Sequence, residues 1–553
     1  MPRPTTLRRD VKNFLRDKLL PGQIAEIPLT FFARPKGENR IKALTELSPD
    51  ESPFVKNLSF SPDSMYVTRN GTELVGGAAA TAICGAVIFS TRTSSDYIVR
   101  VTTTGVEYWG GTTWTALTGP ALTLAQDTRV EFTVWDDKLL FTDATTALYS
   151  INFADGTYAA IPGAAVGRHI TTFGSRVIVS YIVIDANPAV PGTFVTRIEW
   201  CVKNDNTDWL GLGSGYEDLL SSPGGTVDVQ HGVIPVTDVE AFVIRSSSIW
   251  VMNTTGYFDT PFQFTYRFDQ GTDAPGSIVR TPSPREQAGG SLFAQIIMLS
   301  TDDVVVVRPE GITPIGFPIR YQLLGTTLNP RKAIAGFEPR NREYWIHVPP
   351  LANNNTTSIV WKYRIDDNSW YHSEYPFKLE RLAFKDILFA ATFDELTGTF
   401  DALTGFFDDL GLGARQPSAI LVSSSQPRVI REREGVVGDV TALGTATGIA
   451  IEIQTGMIQP DDPRKDLTVL MLELLYEADQ SVDVDFEYST NGGTTWSAYG
   501  SLTLAATTQP TLVAYRNTLH RRRMQVRMKS DDGSTLQLHA LYVKAVKGSD
   551  IHQ

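Results

Sequence analysis

The chain is poor in the residues that most often carry chemistry or covalent bracing: of 553 residues, two are cysteine, seven histidine and eight methionine. Cys84 and Cys201 lie in separate strand-like runs, so they read as buried free thiols rather than a disulfide, and no Cys/His spacing suits a structural metal. His169, His231, His347, His372, His520, His539 and His552 are scattered, with no His-Glu-x-x-His among them. Neither Gly-x-Ser-x-Gly nor a Gly-Lys-Ser/Thr phosphate loop occurs, which removes the commonest hydrolase and nucleotide-binding signals. No stretch of about 18 apolar residues is present, and the first 22 residues lack the apolar centre of a signal peptide. The expectation is a protein with no cofactor, no metal, no catalytic residue and no membrane insertion of its own. Positive charge is also scarce, 49 Lys and Arg against 61 Asp and Glu, a net charge of −12. Affinity for nucleic acid grows from clustered cations, so a tight grip on DNA is not expected; a surface that lets DNA slide past is compatible with this sign.

What is abundant is glycine (44) and proline (31), with many Thr and Val, a composition of strands and turns. Residues 197–253 read as a four-stranded meander: Ile198, Trp200 and Val202 in one strand, a polar turn at Asn204–Thr207, Trp209, a Gly-rich loop, and two alternating runs ending at Trp250. Weaker copies of this pattern stand at Tyr108–Trp114, Val134–Tyr149, Tyr344–His347 and Val360–Trp370. One meander cannot bury both its faces, so the repeat predicts an all-β fold built on a β-propeller, with the tryptophans inside the blades. Asp136-Asp137 and Gly174-Ser175, each between apolar runs, predict hairpin turns.

Beyond about residue 420 the strands lengthen and predict a C-terminal β-sandwich or platform domain. Residues 5–20 carry a helical apolar period with Val11, Phe14, Leu15 and Leu19 on one face, stopped by Pro21-Gly22. An isolated helix of about this length is marginal in water and needs a surface, its own domain or a neighbour's. The expected division is therefore a helix and extended arm over 1–56, a propeller over 57–419 and a platform over 420–553. Phe14, Leu15, Leu19, Phe31 and Phe32 are the candidate interface residues. His520-Arg521-Arg522-Arg523 is the one strongly basic run, and strand alternation would put Arg521 and Arg523 on one face and Arg522 on the other. The three arginines are candidates for intersubunit salt bridges or for lining a channel.

Three stretches together resemble the tail nozzle proteins of short-tailed bacteriophages, also called tail tubular or stabilisation proteins. The first runs Leu47-Ser48-Pro49, Ser52-Pro53, Asn57-Leu58, Pro62-Asp63, Arg69-Asn70-Gly71, with Asn70 where that family usually has proline. The second runs Trp200, Asn206, Trp209, Gly211 to Gly215, Asp218-Leu219, Gly232, Ser248-Ile249-Trp250. The third holds Tyr344-Trp345-Ile346, Val348-Pro349, Tyr363, Asp367-Asn368 and Trp370. The resemblance implies a structural virion protein, a homo-oligomeric and by analogy hexameric ring. It would attach to the adaptor below the portal, carry fibres or a plug, assemble in the bacterial host cytoplasm and form the channel for DNA exit. An alternative comes from Ser489 to Trp496, which resembles the Asp-box turn of sialidase propellers with Asn491 in place of Asp, and points to a carbohydrate-binding or sialidase-like propeller. Such a turn is a structural hairpin, so it speaks for fold and not for catalysis.

Overall fold

Short strands punctuated by two-residue turns can only pair with their immediate neighbours, and the chain does so almost throughout. The computed structural model describes residues 26–547, apart from 282–293, 385–418 and shorter stretches such as 221–226 and 461–465. Six separate four-stranded sheets, together with the first four strands of a nine-stranded sheet, make seven blades. Blades 1 to 6 are antiparallel meanders over 83–116, 131–160, 166–218, 230–268, 279–314 and 334–375. The turns follow local chemistry: Asp136-Asp137 and Gly174-Ser175 each take positive φ at both central positions, the twist that two-residue hairpins favour.

Blade 7 is made from both sides of the chain. Its strands Leu379–Phe384, Ala419–Ser423 and Arg428–Arg433 pair in order, and Gly71–Leu74 adds the fourth along Arg428–Arg433. The first-made propeller strand thus closes the last blade. Between every two neighbouring blades lies one apolar core, and the series returns from blade 7 to blade 1, where Ile420, Val422 and Val429 meet Ile83 and Ile98. Because the middle strands are covered on both faces, they read as unbroken apolar runs: Gln295–Leu299 is buried throughout, as is Val304–Val307. Outer strands alternate, as Phe262–Phe268 does.

The platform is a β-sandwich, and its boundaries differ from the expected ones. One sheet continues directly from blade 6: Ser369–Tyr375 pairs parallel with Val55–Lys56, which pairs with Ile451–Gln454, and Gln525–Ser530, Val482–Ser489 and Ser497–Leu504 follow. The other sheet joins Leu536–Lys547, Leu467–Ala478 and Thr507–Arg521, with Leu58–Phe60, Tyr66–Thr68 and Glu26–Phe31 at the far side of Leu536–Lys547. Residues 26–68 therefore belong to the sandwich rather than to a separate arm or to the propeller. The expected break at 419/420 falls inside the blade 7 strand Ala419–Ser423. Its partner Leu379–Phe384 and the closing strand Gly71–Leu74 of the same blade are remote in sequence, which is why composition alone misplaced it.

Arg69 fastens the two domains. Its side chain is fully buried, donates to Asn57 Oδ1 (3.1 Å), the Asn70 carbonyl (2.8 Å), the Glu374 carbonyl (2.8 Å) and both carboxylate oxygens of Asp439, and lies over the Tyr375 ring. Asn70-Gly71 is consequently a crossing from sandwich to blade 7 and not the hairpin its dipeptide suggests. The strands before and after it pair in different sheets.

Candidate functional site

The innermost strands of the seven blades surround an axial cavity of about 330 Å³, within the size range of small-molecule sites. Its polar lining comes from Arg129, Glu131, His169, His231 and Arg381. Glu131 opens the inner strand of blade 2, and its Oε1 meets His169 Nδ1 of blade 3 at 3.0 Å and an Arg129 amine at 3.4 Å. Burial pushes the Glu131 carboxyl up, but His169, Arg129 and the Ile170 N–H outweigh it and hold the group below the usual carboxylate range. His231, on blade 4, meets Ser246 Oγ at 3.2 Å and sits edge-on to His169 with 6.3 Å between ring centres. Burial, then repulsion from His169, pushes its pKa down to about 4, so the ring is neutral at pH 7. Arg381 spans the seam of blades 7, 1 and 2 by donating to the carbonyls of Cys84 (3.1 Å), Thr128 (3.0 Å) and Glu380 (2.7 Å). It acts as a clasp with little capacity left to fork a carboxylate.

Chemically the cavity offers one ionised carboxylate, a neutral imidazole and cations engaged with the chain. Glu131 is the only Asp or Glu among its described lining residues. Glycoside hydrolysis by the usual route needs two carboxyl groups about 5–9.5 Å apart, and the described lining does not assemble that pair. No group of three or more potential metal ligands occurs among the described residues.

A second feature lies on the outer rim, where the motif Trp209-Leu210-Gly211-Leu212-Gly213 precedes the outer strand of blade 3. Trp209 is buried between blades 2 and 3, and its indole N–H donates to the Asn206 carbonyl at 2.9 Å. Asp208 caps the turn by accepting from Gly211 N–H at 2.7 Å. With Trp209 anchored inward, the flanking leucines are turned out: Leu210 is 65%, Leu212 76% and Tyr216 57% exposed. The loop before the outer strand of blade 4 adds Tyr257 at 71% and Phe258 at 47%. The two loops touch, since a side chain at Gly213 (φ +89) would stand 3.1 Å from the Phe258 ring. The result is one apolar patch across the edges of blades 3 and 4, of a kind monomers seldom display.

The residues singled out in the sequence do not converge on either place. Phe14, Leu15 and Leu19, with the whole run 5–20, lie outside the described residues. Phe31 and Phe32 are buried in the chain's own sandwich core, Phe32 edge-on to Tyr66 at 5.9 Å, so they are not free to dock on a neighbour. Phe32 holds φ 62, a conformation a bulky residue adopts only when its surroundings fix it. Arg521 ends its strand and donates to Tyr488 Oη at 2.9 Å; the chain then bends, which breaks the expected alternation, and Arg522 reaches Asp466 at 3.6 Å while 71% exposed. Arg523 is exposed beside them. Ser489 to Trp496 forms the hairpin turn of the sandwich, far in the fold from the axial cavity, with Asn491 Oδ1 accepting from Thr495 N–H at 3.0 Å. Trp200 and Trp209 are buried in inter-blade cores and Trp250 packs against one, as the meander pattern predicts. Cys84 and Cys201 are free and buried.

The described residues thus define a seven-bladed β-propeller carrying a β-sandwich built from both the early strands, from Glu26 on, and the late ones, up to Lys547. Compared with known proteins, no protein-family model matches the sequence and no curated protein matches it. Solved structures similar to it include the exo-β-1,3-galactanase of Phanerochaete chrysosporium, at 11% identity over 72% of this chain and 98% of that one, with a TM-score of 0.24. The extracellular domain of a hybrid two component system from B. thetaiotaomicron is similar at 8% identity, 83% and 61% coverage and TM-score 0.37. The WD40 domain of SCAP from fission yeast is similar at 7% identity, 63% and 84% coverage and TM-score 0.30. At such scores the likeness carries no function across. No helix among the described residues is long and apolar enough to cross a membrane.

Proposed function

We propose that the chain is a structural subunit of a bacteriophage tail nozzle, repeated head to tail in a ring around the path of DNA exit. The observation that carries this reading is the apolar rim of Leu210, Leu212, Tyr216, Tyr257 and Phe258, which in water calls for a protein partner. Two of its residues, Leu210 and Leu212, belong to the Trp209 to Gly215 stretch that resembles the nozzle family. Arg69, from the first of the three resembling stretches, is the bolt between the two domains. Contacts between unlike patches close a ring when the rotation between subunits divides a full turn; the resemblance suggests six. An axial cavity of about 330 Å³ is far too small for a duplex, so the DNA path in this reading runs between subunits, past chains whose net charge of −12 disfavours sticking. The test is cryo-electron microscopy or mass photometry of the purified chain, alone and with its adaptor. Rings are expected; a monomer in both conditions overturns the reading.

A second reading, a glycan-binding propeller, is favoured by the axial cavity itself, whose volume and mixture of His, Glu and Arg beside Phe132 and Phe384 suit a single sugar ring. Isothermal titration with simple sugars and acidic sugars, using Glu131→Gln as the control, separates the two. Saturable binding lost in that variant, without rings, would favour the glycan reading.

A further inference from the structure

We infer that the apolar rim of blades 3 and 4 is the seat for the N-terminal segment, residues 5–20, of a second copy of this chain. The inference rests on the ring reading above and names the contact that would close it. Shape and charge both point to this occupant. The rim offers Leu210, Leu212, Tyr216, Tyr257 and Phe258, and residues 5–20 have an apolar period, Val11, Phe14, Leu15 and Leu19, with no counterpart in the described chain. Around the rim stand the exposed Asp205, Glu217 and Asp259, none in an ion pair among the described residues. The N-terminal segment, residues 5–20, carries Arg8, Arg9, Lys12, Arg16 and Lys18 against Asp10 and Asp17, in a protein that is acidic as a whole. Opposite fields of this kind orient an encounter and fix its register.

Topology says the occupant belongs to a neighbour. The described chain begins at Glu26, whose strand runs along Leu536–Lys547 in the sandwich. The sandwich is bonded to blade 6. In a ring of seven, blades 3 and 6 are as far apart as blades can be. A compact body of the propeller's size is about 50 Å across. If the segment is the helix its apolar period predicts, its sixteen residues and a five-residue tether would reach about 40 Å. A segment of that reach would be too short to round its own propeller, so the rim it fills is a neighbour's. Two unlike surfaces on one molecule are what a head-to-tail contact requires, and the ring closes when the rotation between neighbours divides a full turn.

The experiment uses the full chain in three forms: unaltered, with a rim variant (Leu212→Asp with Tyr257→Asp), and with a segment variant (Phe14→Asp with Leu15→Asp). All three should melt alike, since none of these side chains lies in a described core. Sedimentation velocity should show rings for the unaltered chain, and each variant alone should associate about thirtyfold or more weakly, the loss expected for central apolar anchors. Mixed in equal amounts, the two variants should form dimers and no rings, because each pair retains one intact seat and one intact segment. A photo-crosslinker at Leu212 should capture residues 5–20 of another molecule. Rings that survive the rim variant overturn the inference while leaving the ring reading standing. Loss of rings with the rim variant but not with the segment variant overturns it too, and assigns the rim to another occupant. Monomers from the unaltered chain at its solubility limit overturn both.

Discussion

Replacing Arg69 with Met removes a buried cation and leaves Asp439, 4% exposed, with only the Thr72 hydroxyl (3.1 Å) as a side-chain donor. Breaking one partner of a buried pair costs about 3–5 kcal/mol, because the remaining charge cannot be hydrated. Arg69 touches the sandwich through Asn57, blade 6 through Glu374 and blade 7 through Asn70, so the loss falls on the whole chain rather than on one blade. With an unfolding entropy of about 2.1 cal/mol/K per residue over roughly 550 residues, about 4 kcal/mol lowers Tm by about 3–4 °C. Asp439→Leu alone should cost about as much, since Arg69 then loses its only carboxylate contact. The double variant should cost about 5 kcal/mol rather than the roughly 8 of additive losses, a coupling of about 3 kcal/mol in the cycle. Scanning calorimetry of the four proteins measures this. Strictly additive single losses, with coupling below about 0.5 kcal/mol, would refute the account of Arg69 as the bolt between domains.

Acid should weaken the fold through His231 and His347, whose pKa values burial pushes from 6.5 to about 4. The unfolded chain takes up these protons below pH 6.5 and the folded chain does not, so stability is intact above pH 6.5 and falls as pH drops toward 4. Each histidine contributes at most about 1.4 kcal/mol per pH unit, and in urea melts His347→Gln should remove about half of that combined slope; an unchanged slope refutes its assignment. Gly336→Ala should destabilise by about 1–3 kcal/mol, since the new methyl would meet the Phe384 ring at 2.2 Å. Phe384→Leu should relieve part of this, and a neutral Gly336→Ala would refute the packing at the seam of blades 6 and 7. Trp209→Ala should cost about 3–5 kcal/mol by emptying the core between blades 2 and 3, an expectation that an unchanged melt would defeat. Burial pushes the thiols of Cys84 and Cys201 up to about 11; labelling at pH 8 should be about a hundredfold or more slower in the folded chain than in urea, and equal rates would place them at the surface.

Local chemistry was legible in the sequence wherever a feature depends on adjacent residues. Asp136-Asp137 and Gly174-Ser175 are turns because their own φ preferences make them so; the 197–253 stretch, which reads as one four-stranded meander, does hold strands but is divided between two blades, giving the last two strands of blade 3 and the first three of blade 4. Features assembled from distant segments were not legible. Asn70-Gly71 has the dipeptide of a hairpin, but Arg69 is committed to Asp439, 370 positions away, and the chain crosses between domains instead. Phe31 and Phe32 looked like an unsatisfied surface because their cover is supplied by the C-terminal strands. The axial cavity draws two to four residues from each blade. Histidines that look scattered along the chain, His169 and His231, meet there because each lies on an innermost strand. The outward-facing leucines beside Trp209 carried a local signal, an apolar residue on each side of Gly211, but their exposure depends on Trp209 alone turning inward.

Weaving early and late strands of the chain into one sandwich imposes a timetable on the ribosome. Thr68 waits for Leu536, 468 residues later, before its hydroxyl finds that carbonyl, and at about 5–20 residues per second the interval is roughly 25–95 s. For that time Glu26–Phe31 and Tyr66–Thr68 are naked strand edges beside Phe31 and Phe32, while blades 1 to 6 form behind them. A cell that makes the protein in quantity must keep those edges from pairing with one another on neighbouring polysomes. Slowing elongation near the 3′ end of the message, or withdrawing chaperones that hold nascent chains, should lower the yield of this fold well before it affects a propeller whose ends close within a single blade.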